Sequence, residues 1–154
     1  MEISFVKSQI VIPTLYQIGL CTDASVNLVT GTGLSESQFI YDRQIDGPAL
    51  GWFQMEPATH DDCWVNFLAY RPELASKIRL VAGKQNPTAD DLVTNRPYAA
   101  AMCRVKYLRS PLALPAADDP VALCLYWRGV YNTALGKGRV DSQHVKYFRQ
   151  AIEA

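Results

Sequence analysis

Two stretches about fifteen residues apart carry side chains suited to acid–base chemistry. Glu36 ends an apolar helical stretch, and residues 51–56 (Gly-Trp-Phe-Gln-Met-Glu) combine a glycine turn, a glutamine and a second carboxylate. A carboxyl group on an apolar helix face is partly desolvated, and desolvation raises its pKa. A carboxylic acid that stays neutral near about pH 6 can protonate a glycosidic oxygen. The alternative for Glu36 is a surface glutamate at a helix end, with no chemical role.

A second carboxylate would decide the outcome of such a reaction. Glycosidases place a base or nucleophile opposite the acid, and the distance between the two carboxyl groups sets the stereochemistry. Glu56 and Asp46 are the candidates. Glu56 directly precedes Pro57, so it is equally suited to be an acidic residue at the start of a helix.

The turn at residues 51–54 offers groups for a polar ligand. Gly51 lets backbone pass close to a ligand, and the amide of Gln54 supplies both a donor and an acceptor for sugar hydroxyls or an N-acetyl group. The alternative is a buried hairpin with Trp52 and Phe53 in the core.

An aromatic cluster near a later helix end is a second source of ligand contacts. Aromatic rings stack on sugar faces, and tyrosine hydroxyls bind polar ligands. Tyr126 and Trp127 are equally explained as core residues, whereas Tyr131 and Asn132, at the helix break, are the better candidates for substrate binding.

Two further side chains, His60 and Tyr41, are candidate substrate contacts; His60 either binds substrate or caps its own helix. The four cysteines are not paired as CxxC and there are only two histidines. This pattern lacks the usual spacing of a zinc site. We therefore expect neither metal nor cofactor, and buried free thiols.

Composition indicates one domain over residues 1–154. Hydrophobic residues make up 49% and charged residues 19%, so the chain can bury a sizeable core. With 15 basic and 15 acidic residues, it has no basic surface for nucleic acid. No apolar run approaches the roughly 20 residues of a membrane span. The N-terminus does not resemble a secretory signal. We expect a monomer made in a cytoplasm that leaves by another route, such as a lysis pore or a particle.

Hydrophobic spacing, caps and prolines predict a mainly α domain. Helices are expected over residues 5–20, 22–39, 57–68, 72–83, 95–108, 120–131 and 141–152. Pro13 should break or kink the first. Gly31 and Gly33 each cost about 1 kcal/mol in a helix relative to alanine, which indicates that another backbone or a ligand packs closely there. Residues 40–50 are expected to form a loop, with a short β-excursion over residues 43–55.

Four motifs together resemble those of soluble lytic transglycosylases and goose-type lysozymes, within the lysozyme-like superfamily. In chain order they are Glu36-Ser37, Gly51-Trp52-Phe53-Gln54, Ala99-Ala100-Ala101 with Tyr107-Leu108, and Ala122-Leu123 with Val130-Tyr131-Asn132-Thr133-Ala134. The resemblance covers about residues 23–138. Gln54-Met55-Glu56 with His60 is similar to a goose-type segment, and residues 43–62 resemble small phage and prophage proteins.

This resemblance implies a lysozyme-like fold and cleavage of peptidoglycan glycan strands between N-acetylmuramic acid and N-acetylglucosamine. It implies that Glu36 is the acid, that Tyr131 reaches it, and that Gln54, Tyr131 and Asn132 hold the sugar or the acid. The product is either an anhydro sugar or, with Glu56 or Asp46 positioning water, an inverted hydrolysis product. The expected setting is a phage endolysin or a virion component acting at the bacterial wall.

The chain also departs from the family pattern. Trp52-Phe53 stand where the family has Leu-Met, and Thr133-Ala134 where it has Ala-Gly. Two alternatives stay open: a non-catalytic phage particle protein that keeps the lysozyme-like frame, and a chitinase- or chitosanase-like enzyme.

Overall fold

The computed structural model describes residues 1–132 and 140–154, and these ranges are mainly helical, as predicted. The helices are α1 Ile3–Val6, α2 Ile12–Gln17, α3 Asp23–Ser37, α4 Pro57–Asn66, α5 Pro72–Ala82, α6 Asp91–Thr94, α7 Arg96–Leu108, α8 Pro120–Tyr126 and α9 Ser142–Glu153. A π-helical segment, Lys7–Val11, joins α1 to α2; a second, Trp127–Tyr131, extends α8; and a 3-10 turn, Leu68–Tyr70, follows α4. Thr133, Ala134 and the predicted helix break at Gly136-Lys137-Gly138 lie outside the described residues.

Side-chain caps begin four of these helices where the sequence predicts. At α3 the backbone N–H of Ser25 donates to Thr22 Oγ1 at 3.1 Å, and the Thr22 N–H donates to Ser25 Oγ at 2.9 Å. Asn95, Asp119 and Asp141 accept backbone N–H groups at the starts of α7, α8 and α9. Such bonds satisfy donors that have no partner inside the helix.

The central helix is α3, which is buried on nearly all sides. The predicted close packing at its glycines is confirmed, but the neighbours are aromatic rings. A Cβ atom added to Gly31 would lie 2.2 Å from the ring of Phe148 in α9, and one added to Gly33 would lie 2.2 Å from the ring of Phe39. The two glycines therefore let α3 lie at the middle of the core, where the carboxyl end of the helix is held from several directions.

The N-terminal helix continues past Pro13, so the expected break is absent, but the helix is distorted just before the proline. The Ile12 N–H bonds to Lys7 O, five residues back, and this wider turn gives the proline ring room against the preceding turn. The helix ends near Gly19, which has a φ of 76°. This position agrees with the prediction.

The segment after α3 is almost entirely loop. Gln38 and Phe39 both have a φ of 56° and end the helix two residues before the expected Phe39. The expected β-excursion is reduced to two isolated bridges, Arg43 with Leu50 and Leu50 with Met55. Within residues 1–132 and 140–154 no helix is long and apolar enough to cross a membrane.

Candidate active site

The carboxyl group of Glu36, at the end of α3, is fixed through one of its two oxygens. Trp127 Nε1 and Asn132 Nδ2 both donate to Glu36 Oε2 at 2.9 Å. In the described part of the chain no group donates to Oε1. A neutral carboxyl accepts best through its carbonyl oxygen and donates through its hydroxyl. When the carboxyl of Glu36 is neutral, these two bonds therefore favour a proton on Oε1.

Burial and hydrogen bonding shift the pKa of the Glu36 carboxyl in opposite directions. Burial raises the pKa of Glu36, while the bonds from Asn132 and Trp127 and the charges of Lys106 and His144 lower it. The net result is a pKa above the ordinary value, because desolvation penalises the charged form more than these groups favour it. Glu36 therefore keeps its proton to a higher pH than an exposed glutamate does.

Residues 51–54 form a tight chain reversal whose flanking residues exchange backbone hydrogen bonds at 2.9 and 3.1 Å. Trp52 and Phe53, within the reversal, are buried, as the buried-hairpin alternative predicts. Gly51 has a φ of 76°, and a Cβ atom there would lie 2.3 Å from the carbonyl oxygen of Leu92. The glycine thus makes room for another backbone, rather than for a ligand.

Two carbonyls of this reversal connect it to the helix ends beside Glu36. Ser37 Oγ donates to Trp52 O at 2.6 Å, and Tyr131 Oη donates to Phe53 O at 2.7 Å. The buried turn therefore joins the end of α3 to the end of the Trp127–Tyr131 segment. Through these bonds the structure brings together the predicted Glu-Ser, glycine-turn and Tyr-Asn motifs.

Gln54 is partly buried in this turn, in the left-handed region with a φ of 50°. Its Nε2 donates to Gly51 O at 2.8 Å, so the amide nitrogen is used within the turn and Oε1 remains as an acceptor for a ligand. A non-glycine residue in this region of backbone space costs conformational energy, and such residues cluster at functional sites.

Tyr131 reaches the turn rather than Glu36 itself. The Tyr131 and Tyr107 rings lie 5.1 Å apart between centroids, and Tyr107 Oη lies 2.6 Å from Thr32 Oγ1. Burial raises the pKa of Tyr131 well above its usual value, so its hydroxyl stays protonated and remains a donor. The resemblance implies direct contact of the tyrosine with the acid, whereas the Tyr131 hydroxyl donates to the carbonyl of Phe53.

His60 is not brought to this site. It is 1% exposed, with Nε2 lying 2.6 Å from Tyr98 Oη and Nδ1 lying 2.9 Å from Asp61 Oδ1. Trp64 Nε1 donates to the same Tyr98 oxygen at 2.8 Å. Because an indole N–H only donates, all partners are satisfied when Tyr98 gives its proton to Nε2 and His60 gives its Nδ1 proton to Asp61. His60 therefore belongs to a buried hydrogen-bond network.

The remaining predicted residues are exposed. Glu56 directly precedes α4 and makes no side-chain cap bond. Both Glu36 and Glu56 raise the pKa of Lys106, so both carboxylates are within electrostatic reach of one ammonium group. Asp46 and Tyr41 are exposed in the loop after α3, and neither makes a hydrogen bond to Glu36 within the described ranges.

Sequence reasoning missed Trp127 as a donor and His144 as its neighbour. The His144 ring stacks on the Trp127 ring with centroids 5.1 Å apart and planes at 22°. Trp127 and Asn132 are five residues apart and share a side because the Asn132 N–H bonds to Trp127 O at 2.9 Å, closing a π-turn. A regular α-helix does not align residues at this spacing, so the sequence carried no clear signal for the pair.

Other features of the surface lie apart from Glu36. Depressions of about 430, 420 and 500 Å³ are lined by residues outside the Glu36 network. Among residues 1–132 and 140–154, no group of three or more His, Cys, Asp or Glu side chains is arranged to bind a metal ion. The acid–base groups thus lie apart from these three depressions.

No protein-family model, curated protein or solved structure matches the chain. The chemistry has to be judged from the arrangement itself. That arrangement is a carboxyl of raised pKa, with one oxygen held by two neutral donors and the other without a donor among residues 1–132 and 140–154, beside a tight turn that carries an amide. It is suited to donating a proton to a bound polar ligand.

Proposed function

We propose that the chain is a peptidoglycan-cleaving glycosidase on a lysozyme-like frame, with Glu36 as the general acid. The observation that carries this proposal is the pair of hydrogen bonds to Glu36 Oε2, which leave Oε1 without a donor in the described part of the chain. The order of the sequence motifs adds the substrate class, glycan strands with bonds between N-acetylmuramic acid and N-acetylglucosamine. The proposed place of action is the bacterial wall, for a phage endolysin or virion component.

In the first step Oε1 of Glu36 gives its proton to the glycosidic oxygen. The bond from that oxygen to the anomeric carbon of the muramic acid breaks, and the departing sugar leaves with a hydroxyl group. Glu36 is left as a carboxylate. Hydrogen bonds to a charged acceptor are stronger than those to a neutral one, so Trp127 and Asn132 stabilise Glu36 more after proton transfer than before it.

In the second step we propose closure of an anhydro ring. A hydroxyl of the same muramic acid attacks its anomeric carbon and gives its proton to the Glu36 carboxylate, which restores the acid. The proposal of ring closure uses Glu36 alone, and the charged groups that shift its pKa are the basic side chains of Lys106 and His144. Glu56, which is exposed and raises the pKa of Lys106, is the alternative partner; with water as nucleophile it would give inversion.

The neighbouring side chains bind the substrate, the turn and the acid. We assign Gln54 Oε1 to a sugar hydroxyl or N-acetyl N–H, because the Gln54 amide nitrogen already bonds to Gly51. Tyr131 holds the turn through Phe53, and Asn132 holds the acid. His60 takes no part in this proposal, since it is buried against Tyr98.

Product analysis tests the proposal. Purified peptidoglycan is digested with the protein, and the soluble fragments are identified by mass spectrometry; chitin oligomers are treated in parallel. We expect anhydro-muramic ends from peptidoglycan and no cleavage of chitin. Reducing muramic ends would assign hydrolysis instead, and cleavage of chitin alone would assign a chitinase-like enzyme. A folded protein that releases nothing from either polymer would reject catalysis and leave the non-catalytic particle protein.

A further inference from the structure

Lys106 of α7 contacts the end of the Trp127–Tyr131 segment. Its Nζ donates to Tyr131 O at 2.7 Å and lies 4.3 Å from the centroid of the Tyr131 ring. The side chain is partly buried. A cation at the last carbonyls of a helix is favourable, both as a hydrogen-bond donor and against the helix dipole.

The carbonyl that Lys106 binds belongs to the peptide joining Tyr131 to Asn132. On one side of that peptide, Tyr131 Oη donates to the turn at Phe53 O; on the other, Asn132 Nδ2 donates to Glu36 Oε2. The next carbonyl, of Asn132, accepts from Arg128 Nη1 at 3.0 Å. Lys106 and Arg128 therefore bind the backbone carbonyls on either side of the Asn132 Cα atom. The side-chain amide of the same Asn132 donates to Glu36.

We infer that Lys106 is a positioning residue of the Glu36 site, which fixes the Tyr131–Asn132 peptide so that the Asn132 amide stays on Oε2 of the acid. The catalytic meaning of this inference rests on the proposed function. The positioning itself concerns only the bonds among these residues and is measurable without any substrate.

Lys106 also acts on the pKa of Glu36. The carboxyl groups that act on Lys106 are Glu36 of α3 and Glu56 before α4, and the neutral buried thiols of Cys103 in α7 and Cys63 in α4 are also among its neighbours. Burial lowers the pKa of Lys106 and the carboxyl groups raise it. In return the ammonium lowers the pKa of Glu36. Lys106 thus partly offsets the rise in the Glu36 pKa that burial causes. It also holds the peptide of Asn132, whose side-chain amide donates to Glu36.

Three variants separate this role from general stability. Lys106→Met removes the donor and the charge, Lys106→Arg keeps both, and Lys77→Met removes an exposed ammonium from α5 as the matched control. The carboxyl of Glu36 is titrated by carbon NMR in each protein, and solvent exchange of the Asn132 side-chain amide is measured in the same samples. Thermal unfolding reports the stability of each variant.

For Lys106→Met we expect the Glu36 titration to move to higher pH and the Asn132 amide to exchange about fivefold faster, the factor for loss of about one net hydrogen bond. Lys106→Arg should restore both values, and Lys77→Met should leave both unchanged. On peptidoglycan, Lys106→Met should lose about 10²-fold in rate, as for a small misplacement of a reacting group. If Lys106→Met does not fold, Lys106→Gln, which has no charge and reaches less far, takes its place.

The two proposals fail in different ways. A folded Lys106→Met or Lys106→Gln protein with wild-type titration of Glu36 and wild-type exchange at Asn132 overturns the positioning role. A wild-type protein that cleaves no peptidoglycan rejects the proposed function, while the NMR measurements still decide whether Lys106 positions Asn132.

Discussion

Replacing Trp127 by phenylalanine tests the contact between the indole and Glu36. The substitution removes the Nε1–H that donates to Glu36 Oε2 at 2.9 Å and keeps most of the buried ring. A hydrogen bond to a charged group contributes about 1.5–3 kcal/mol, and one to a neutral group about 0.5–1.5 kcal/mol. The variant should therefore lose about 1–1.5 kcal/mol more stability when Glu36 is charged than when it is neutral. Any loss of packing is the same at both pH values and cancels from this difference.

The sign of the pH dependence follows from linkage. The folded-state pKa of Glu36 is already raised, and loss of a donor to the carboxylate raises it further. A raised carboxyl pKa disfavours folding as pH increases from the unfolded value of about 4.3 up to the folded value, and the penalty remains above it. The extra loss in Trp127→Phe should therefore be small at acidic pH and largest at neutral pH.

Urea unfolding at intervals between about pH 4 and about pH 8 gives the free energy of unfolding for each protein. Trp64→Phe is the matched control, because its indole donates to the hydroxyl of Tyr98 at 2.8 Å and burial raises the pKa of that hydroxyl well above its usual range. The cost of Trp64→Phe should not vary over this interval. If the stability lost in Trp127→Phe is also constant with pH, or if it increases towards acidic pH, then the proposed bond from Trp127 to a Glu36 carboxyl of raised pKa is refuted.

Three further predictions concern packing and reactivity. Gly31→Ala should destabilise the fold by about 1–3 kcal/mol through overpacking, because the new Cβ meets the ring of Phe148. Gly129→Ala, which has no neighbour within 4 Å among the described residues, should be neutral or stabilising by up to about 1 kcal/mol; urea unfolding measures both. Tyr131→Phe should cost about 1–3 kcal/mol because it leaves the Phe53 carbonyl buried without its donor, and wild-type stability in urea would contradict this. A thiol reagent should label Cys21, which is partly exposed, before unfolding; the other three cysteines are buried and should react only afterwards, with mass spectrometry counting the labels.

Much of the fold follows from short-range signals in the sequence. Thr22, Asn95 and Asp141 predict helix starts because each places an oxygen where unpaired N–H groups need one, and the structure has all three caps. Gly83, with a φ of 70°, ends α5 as expected. These features depend on a few neighbouring residues, so one sequence is enough to predict them.

The β-excursion and the uninterrupted N-terminal helix could not be predicted in the same way. Whether residues 43–55 pair as strands depends on register across the loop, and only two isolated bridges form. The effect of Pro13 depends on whether the helix can widen by one residue, as it does over Lys7–Val11. Both outcomes are set by tertiary packing.

The candidate site, like the fold, can be predicted only in part from the sequence. Glu36, Ser37, Tyr131 and Asn132 were identified from their types and order, and bonds now connect them to one turn or to one another. For Trp127 the sequence leaves core packing and ligand contact open, and its bond to Glu36 depends on a π-turn that leaves no mark in the sequence. For His60 the sequence leaves substrate binding and capping of its own helix open, but its partner Tyr98 lies 38 residues away in sequence.

The most direct test of the central claim is the rate at which Glu36→Gln releases soluble fragments from purified peptidoglycan, compared with wild type and with Glu56→Gln. Glutamine keeps the size of Glu36 and can still accept from Trp127 and Asn132, but it has no acid proton to give. Glu36→Gln should fold and lose at least about 10²-fold in rate, the usual contribution of a general acid, while Glu56→Gln retains most of the activity. Wild-type release by folded Glu36→Gln would contradict the assignment of Glu36 as the proton donor.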